Sequence, residues 1–225
     1  MIGLEELRAE LAAAGDPERA VDQQRYLKSV MPFHGLTSPE LRALLRPYLR
    51  AFAPSDRAEW ERVVRTWWDA AAYREERYAA LAVARHPSAR GWQDADTLDL
   101  HAHLVVTGAW WDLVDEIAQH LVGACLVADR ERATPVLRGW AVADDVWLRR
   151  SAVICQNALG AEVDRDLLTH AVEHNLEDRT FWIRKAIGWA LRQQARTDPA
   201  WVRSYVDALD GRLSGLSRRE ATKHL

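Results

Sequence analysis

Apolar residues recur at three- and four-residue steps through most of the chain, and the strict alternation that marks strands is nearly absent. The pattern predicts an all-α protein. Helices are expected at 3–14, 17–30, 38–51, 55–70, 73–86, 94–106, 110–127, 131–142, 145–159, 163–174, 179–195, 199–210 and 216–224, with ends placed to within a few residues. Asp16-Pro17, Ser38-Pro39 and Asp198-Pro199 each put a capping side chain before a proline at the first helical position, and Thr134-Pro135 reads the same way. Gly35 and Gly211 stand where helices are expected to stop.

The helices repeat. Trp111, Trp147 and Trp182 follow one another at steps of 36 and 35 residues, and each opens a helix. Tyr73-Arg74-Glu75-Glu76-Arg77 opens a similar helix before them. A period of this length built from helix pairs is the mark of an α-solenoid of HEAT-like repeats, in which each pair buries its apolar face against its neighbours and the inner helices line a concave surface. The helices after Trp111, Trp147 and Trp182 are therefore expected side by side. No low-complexity linker interrupts the pattern, so 1–225 reads as one continuous domain.

Composition adds bounds. At 48% apolar and 28% charged residues the chain is ordinary for a soluble protein, and no apolar run approaches the roughly 18–20 residues needed to span a membrane. The start, Met1-Ile2-Gly3-Leu4-Glu5-Glu6-Leu7, has no signal-peptide core. Cys125 and Cys155 lie in apolar surroundings and read as buried reduced thiols, which fits a cytoplasmic protein. The net charge of −3 argues weakly against nucleic-acid binding, but the cations are grouped. Arg212, Arg218, Arg219 and Lys223 stand in one stretch, and Arg184, Lys185, Arg192 and Arg196 in another.

Candidate chemistry begins at Trp111 and Asp115. Four residues apart on a helix, they share a face, and a carboxylate beside an indole suits a positively charged group. Asp115 could serve as a base, a metal ligand or an electrostatic stabiliser. A metal needs more ligands than this spacing supplies, and no metal or other cofactor is expected. His170 and His174 lack the intervening Glu of a metal-binding His pair and read as surface residues. Lys185, Trp189, Arg192 and Arg196 form a cationic stripe broken by an indole, suited to a sugar-phosphate backbone or, equally, to a solvated face. Arg149 and Arg150 point about 100° apart on a helix. Arg150, one turn after Trp147, is the expected phosphate contact, whereas Arg149 is free to pair with an acidic residue. Trp60, Trp67, Trp140, Trp147 and Trp201 are expected to pack between repeats.

Several segments together carry a resemblance. Tyr26 to Gly35, Trp110 to Asp115, Trp147 to Ala152, Phe181 to Arg192 and Leu216 to Lys223 resemble the AlkD family of DNA alkylation-repair glycosylases, in the same order and over nearly the whole chain. His34 after Pro32-Phe33 and Trp182 after Phe181 are mild departures within those motifs. The resemblance implies a HEAT-like repeat protein that excises cationic N3- and N7-alkylated purines, including bulky adducts, from double-stranded DNA. It implies Asp115 as catalytic carboxylate, Trp111 and Trp189 flanking the lesion, Arg150 on the DNA backbone and Tyr26 lining the cleft. Lys185, Arg192, Arg218 and Arg219 are the further DNA-binding candidates, and a monomer is expected. The competing reading is a non-catalytic HEAT-like module that binds DNA or protein, which would need the basic stripe but not Asp115.

Overall fold

The computed structural model describes residues 3–209 and 211–225. Met1, Ile2 and Asp210, the last of these at the end of the expected helix 199–210, lie outside the described residues. Among those described there are fourteen α-helices and no strand, so the chain is all-α as its periodicity predicts. No helix among them is long and apolar enough to cross a membrane. The chain divides into two compact units, Met1–Trp92 and Gln93–Leu225.

The first unit holds α1 (Leu4–Ala13), α2 (Pro17–Leu27), α3 (Ser38–Ala51), α4 (Arg57–Asp69) and α5 (Arg74–Ala84), closed by a 3-10 turn at Pro87–Trp92. Asp16 caps α2 by accepting from the Glu18 and Arg19 amides. The cap of α3 sits one residue earlier than Ser38-Pro39 suggests. Thr37 and Glu40 form a reciprocal capping box, which places Pro39 in the first turn. Helix α2 ends at Lys28 in the left-handed conformation, so Gly35 does not stop it. Gly35 instead turns the connecting segment at φ +91°, where a Cβ would come within 2.0 Å of the Asp16 carbonyl oxygen. The core of this unit is Trp60, Val64 and Trp68 of α4 with Ala79, Ala80 and Val83 of α5, together with Leu7 and Leu11 of α1. Glu75 is buried, and its carboxylate accepts from the backbone amides of His34, Gly35 and Leu36 at 2.9, 2.8 and 3.2 Å. Three donors satisfy a charge that would otherwise be costly to bury, and they fix the 28–37 segment against α5.

The second unit opens on a short 3-10 turn and continues through α6 (Leu98–Gly108), α7 (Trp111–Glu116), α8 (Gly123–Ala128), α9 (Arg130–Trp140), α10 (Val146–Ile154), α11 (Arg165–Glu173), α12 (Phe181–Ala195), α13 (Pro199–Ala208) and α14 (Gly215–Ala221). Helices α7 and α8 are joined without a break by a π-helical stretch, Ile117–Val122, so the expected helix 110–127 is one rod with a widened middle. Helix α9 starts at an Asp129 cap, and Pro135 lies inside it rather than at its start. Contacts run repeat to repeat: α6 and α7 pack on α10, α10 on α12, and α12 on α14. Around them, α9 packs on α10 and α11, and α13 on α12 and α14. This is the order of a helical-repeat stack, and it sets the helices that follow Trp111, Trp147 and Trp182 side by side. Its core runs through Leu113, Val114, Ile117 and Leu121 to Val153, Ile154, Ile183 and Ile187. Cys125 and Cys155 are fully buried thiols outside any disulfide, and burial pushes the Cys155 thiol up to about 12.

Candidate active site

Helix α7 is short, and its faces divide cleanly. Leu113 and Val114 enter the core, while Trp111, Asp112, Asp115 and Glu116 remain partly accessible. Trp111 and Asp115 are therefore one turn apart on the outward side, as their spacing predicts.

Asp115 is gripped from the next repeat. Arg150 of α10 donates from Nε to Oδ1 at 2.7 Å and from Nη2 to Oδ2 at 2.8 Å, the two-pronged arrangement that a planar guanidinium makes with a carboxylate. Its remaining nitrogen, Nη1, donates to the Trp182 carbonyl oxygen of α12 at 2.6 Å. One arginine thus ties three consecutive repeats together. Arg150 is 3% exposed, and its side chain is committed to Asp115 and Trp182. The position expected to meet a DNA phosphate holds the carboxylate.

Burial is the largest influence on Asp115 and raises its pKa. Arg150 opposes that rise by hydrogen bond and charge, and Asp112 adds to it. The side chain keeps 14% of its surface exposed, enough for a substrate atom or water to reach a carboxylate whose geometry is already set. Arg149, pointing the other way, donates to Asp178 at 2.8 Å and to the Ala143 and Asp144 carbonyls. It is a structural pair.

Trp182, which takes the third Arg150 nitrogen on its carbonyl, belongs to a cluster of three indoles. Trp110, Trp147 and Trp182 have ring centroids 5.3–6.0 Å apart, and the Arg150 guanidinium lies 5.9 Å from the Trp182 ring. Trp147 is buried, as expected of a packing residue, whereas Trp110 and Trp182 are half-buried and Phe181 beside them is exposed. In the sequence Trp182 stands out as a repeat marker, and Trp110 carries no expected role. The doubled Trp110-Trp111 was the available signal, one indole facing the cluster and its neighbour standing with Asp115.

The cationic stripe of α12 is partly occupied. Glu220 of α14 receives Lys185 Nζ at 2.7 Å and Arg192 Nη1 at 2.6 Å, with Trp189 half-buried between them on the helix. The Lys185 hydrogen bond is the largest influence holding Glu220 below the usual carboxylate range. Helix α14 can sit this close because α12 carries Gly188 at the crossing, where a Cβ would lie 2.5 Å from the Glu220 Cβ. Arg218 leans on the Val206 carbonyl and lies 4.0 Å from Asp207, and Arg219 is exposed. Tyr26 belongs to α2 of the first unit and is 78% exposed. The structure therefore sets Trp111 one turn from Asp115 and Arg150 on Asp115, and it sets Lys185 and Arg192 on Glu220.

A family model described as DNA alkylation repair enzyme matches residues 7–225. The chain belongs to that family, the AlkD-like group its motifs resemble. A solved structure from Enterococcus faecalis, described as a predicted DNA alkylation repair enzyme, superposes with a TM-score of 0.82 at 28% identity, over 94% of this chain and 96% of that one. No curated protein matches the chain.

Proposed function

We propose that this protein is a DNA glycosylase that hydrolyses the N-glycosidic bond of cationic N3- and N7-alkylated purines in duplex DNA. The observation that carries the reading is the bidentate clamp of Arg150 on Asp115, one helical turn from Trp111. A purine alkylated at N3 or N7 already bears a positive charge and leaves as a neutral base, so the reaction needs no general acid. As the C1′–N bond breaks, its electron pair goes to the base and positive charge grows on the deoxyribose. A fixed, ionised Asp115 opposes that charge, and a carboxylate held in place does not have to reorganise as the charge appears. Water then adds at C1′ and loses a proton, leaving free base and an abasic site. Trp111 and Trp189 offer π faces that favour a cation by about 0.5–2 kcal/mol per contact. In this reading Arg150 is a positioning residue for Asp115, while Lys185, Arg192, Arg218 and Arg219 are the candidates for phosphates and Tyr26 for the cleft.

The reading is tested by incubating the protein with a duplex carrying one N7-methylguanine and assaying free base by chromatography. Release above the spontaneous rate supports it. Binding without release would favour the non-catalytic module.

A further inference from the structure

Helix α3 of the first unit carries Arg42, Arg46 and Arg50, and the proposed chemistry uses none of them. Steps of four residues place the three along one side of the helix, each about 6 Å further along its axis. Leu41, Leu45 and Tyr48 bury the opposite side, and all three arginines are exposed. We infer that this side of α3 is a docking surface for the phosphate backbone of duplex DNA.

The charge of this row is uncompensated. Other arginines of the same unit meet carboxylates: Arg8 meets Glu5 and Glu76, Arg19 meets Asp16 and Glu40, and Arg25 meets Asp22. Arg42, Arg46 and Arg50 form no ion pair with any described residue. From Leu41 to Ser55 the chain has no Asp or Glu. Like charges at this spacing destabilise a helix, and Arg42 stands towards the positive end of the helix dipole. A chain of net charge −3 thus keeps three unpaired cations in one line.

The form of the row selects the partner. A small anion would need the three guanidinium groups to converge, whereas here they are strung over about 12 Å. That suits a polymer with a charge every few ångströms, and duplex DNA carries one phosphate per strand for each ~3.4 Å of its axis. Planar guanidinium forks fit phosphate oxygens in particular. The helix is also held firmly: Thr37 and Glu40 box its start, and Glu75 fixes the amides of residues 34–36 before it. A row presented in fixed geometry loses less freedom on docking. Independently of the charges, the chain belongs to a DNA-repair family whose match, residues 7–225, includes α3.

The inference rests on the duplex binding of the proposed function and not on its catalytic step. The full chain is titrated with an undamaged duplex by fluorescence anisotropy at several salt concentrations. Three proteins are compared: the parent, Arg42→Gln with Arg46→Gln and Arg50→Gln, and the same three positions changed to Lys. The Gln variant is expected to lose about tenfold or more in affinity at about 0.1 M salt, and its slope of log affinity against log salt to flatten by roughly 2–3. The Lys variant keeps the charges and most of the slope. Thermal stability of the Gln variant holds or rises, because like charges are removed. If that variant lost its fold, Arg46→Gln alone would be read as a slope change of about 1. An unchanged slope in the Gln variant of a salt-sensitive parent would overturn the α3 surface and leave the DNA reading standing. A parent without salt-dependent duplex binding would overturn both. Arginine-dependent binding to phosphatidylserine vesicles, with duplex binding unchanged by the Gln substitutions, would assign the row to a membrane and overturn the proposal.

Discussion

The Arg150 guanidinium holds both oxygens of Asp115, at 2.7 and 2.8 Å, across 35 residues of sequence and from one repeat to the next. Because its third nitrogen is fixed on the Trp182 carbonyl, the carboxylate is oriented by a group that is itself anchored at both ends.

The grip has a pH signature. Arg150 lowers the Asp115 pKa against the larger effect of burial, so removing it lets the pKa rise further. If excision requires the carboxylate, Arg150→Gln moves the acid limb of the single-turnover rate to higher pH. Arg150→Lys, which keeps the charge but not the fork, falls between. An acid limb unmoved in both variants would remove the positioning role.

Glu220 neutralises part of the α12 stripe. Glu220→Gln frees Lys185 and Arg192 from a shared carboxylate, and both are then available to phosphates. Duplex affinity is expected to rise several-fold, and the plot of log affinity against log salt to steepen by roughly 1–2. Fluorescence anisotropy at several salt concentrations measures both. Unchanged affinity and slope would place the stripe away from DNA.

Gly188 sets the seat of α14. Adding a methyl group there drives a Cβ against Glu220 and the Ser217 carbonyl oxygen, at 2.5 and 2.8 Å. Gly188→Ala is expected to cost about 1–3 kcal/mol in urea denaturation, despite alanine's better helix propensity. A variant at least as stable as the parent would contradict this packing.

The second unit carries a titration switch of the ordinary kind. His101 is fully buried, and burial lowers its pKa to about 3. The unfolded chain takes up this proton near pH 6.5, the folded one only near 3, so the histidine's contribution is intact above pH 6.5 and is lost as pH falls toward 3. Between those values it adds about 1.4 kcal/mol of lost stability per pH unit. His101→Gln is expected to show a shallower decline of stability from pH 6.5 to 4. An unchanged slope would mean that His101 protonates in the fold.

Much of this was legible from the residues. The caps Asp16 and Asp198, the apolar period and the Trp111–Trp147–Trp182 spacing specify local geometry, and local geometry is what periodicity encodes. Trp111 and Asp115 could be paired because both lie on one helix turn. The Arg150 clamp was hidden because it depends on the rotation of two repeats, which no spacing reports. The same holds for Glu220, whose partners sit on another helix. Pro135 misled because Asp129 offers an earlier cap and one proline removes only one helical hydrogen bond. The π-helical stretch at Ile117–Val122 leaves no mark in the apolar pattern.

The central claim is that Asp115 opposes the charge that develops on the sugar. Asp115→Asn keeps the shape and removes the charge, so folding and most DNA affinity should survive, because full sugar charge exists only near the transition state. The most direct measurement is the single-turnover release of N7-methylguanine from a defined duplex by the parent and by Asp115→Asn, with duplex binding measured alongside. The account predicts a loss on the order of 10²-fold or more in release with affinity little changed. Release by the variant at the parent's rate would contradict it.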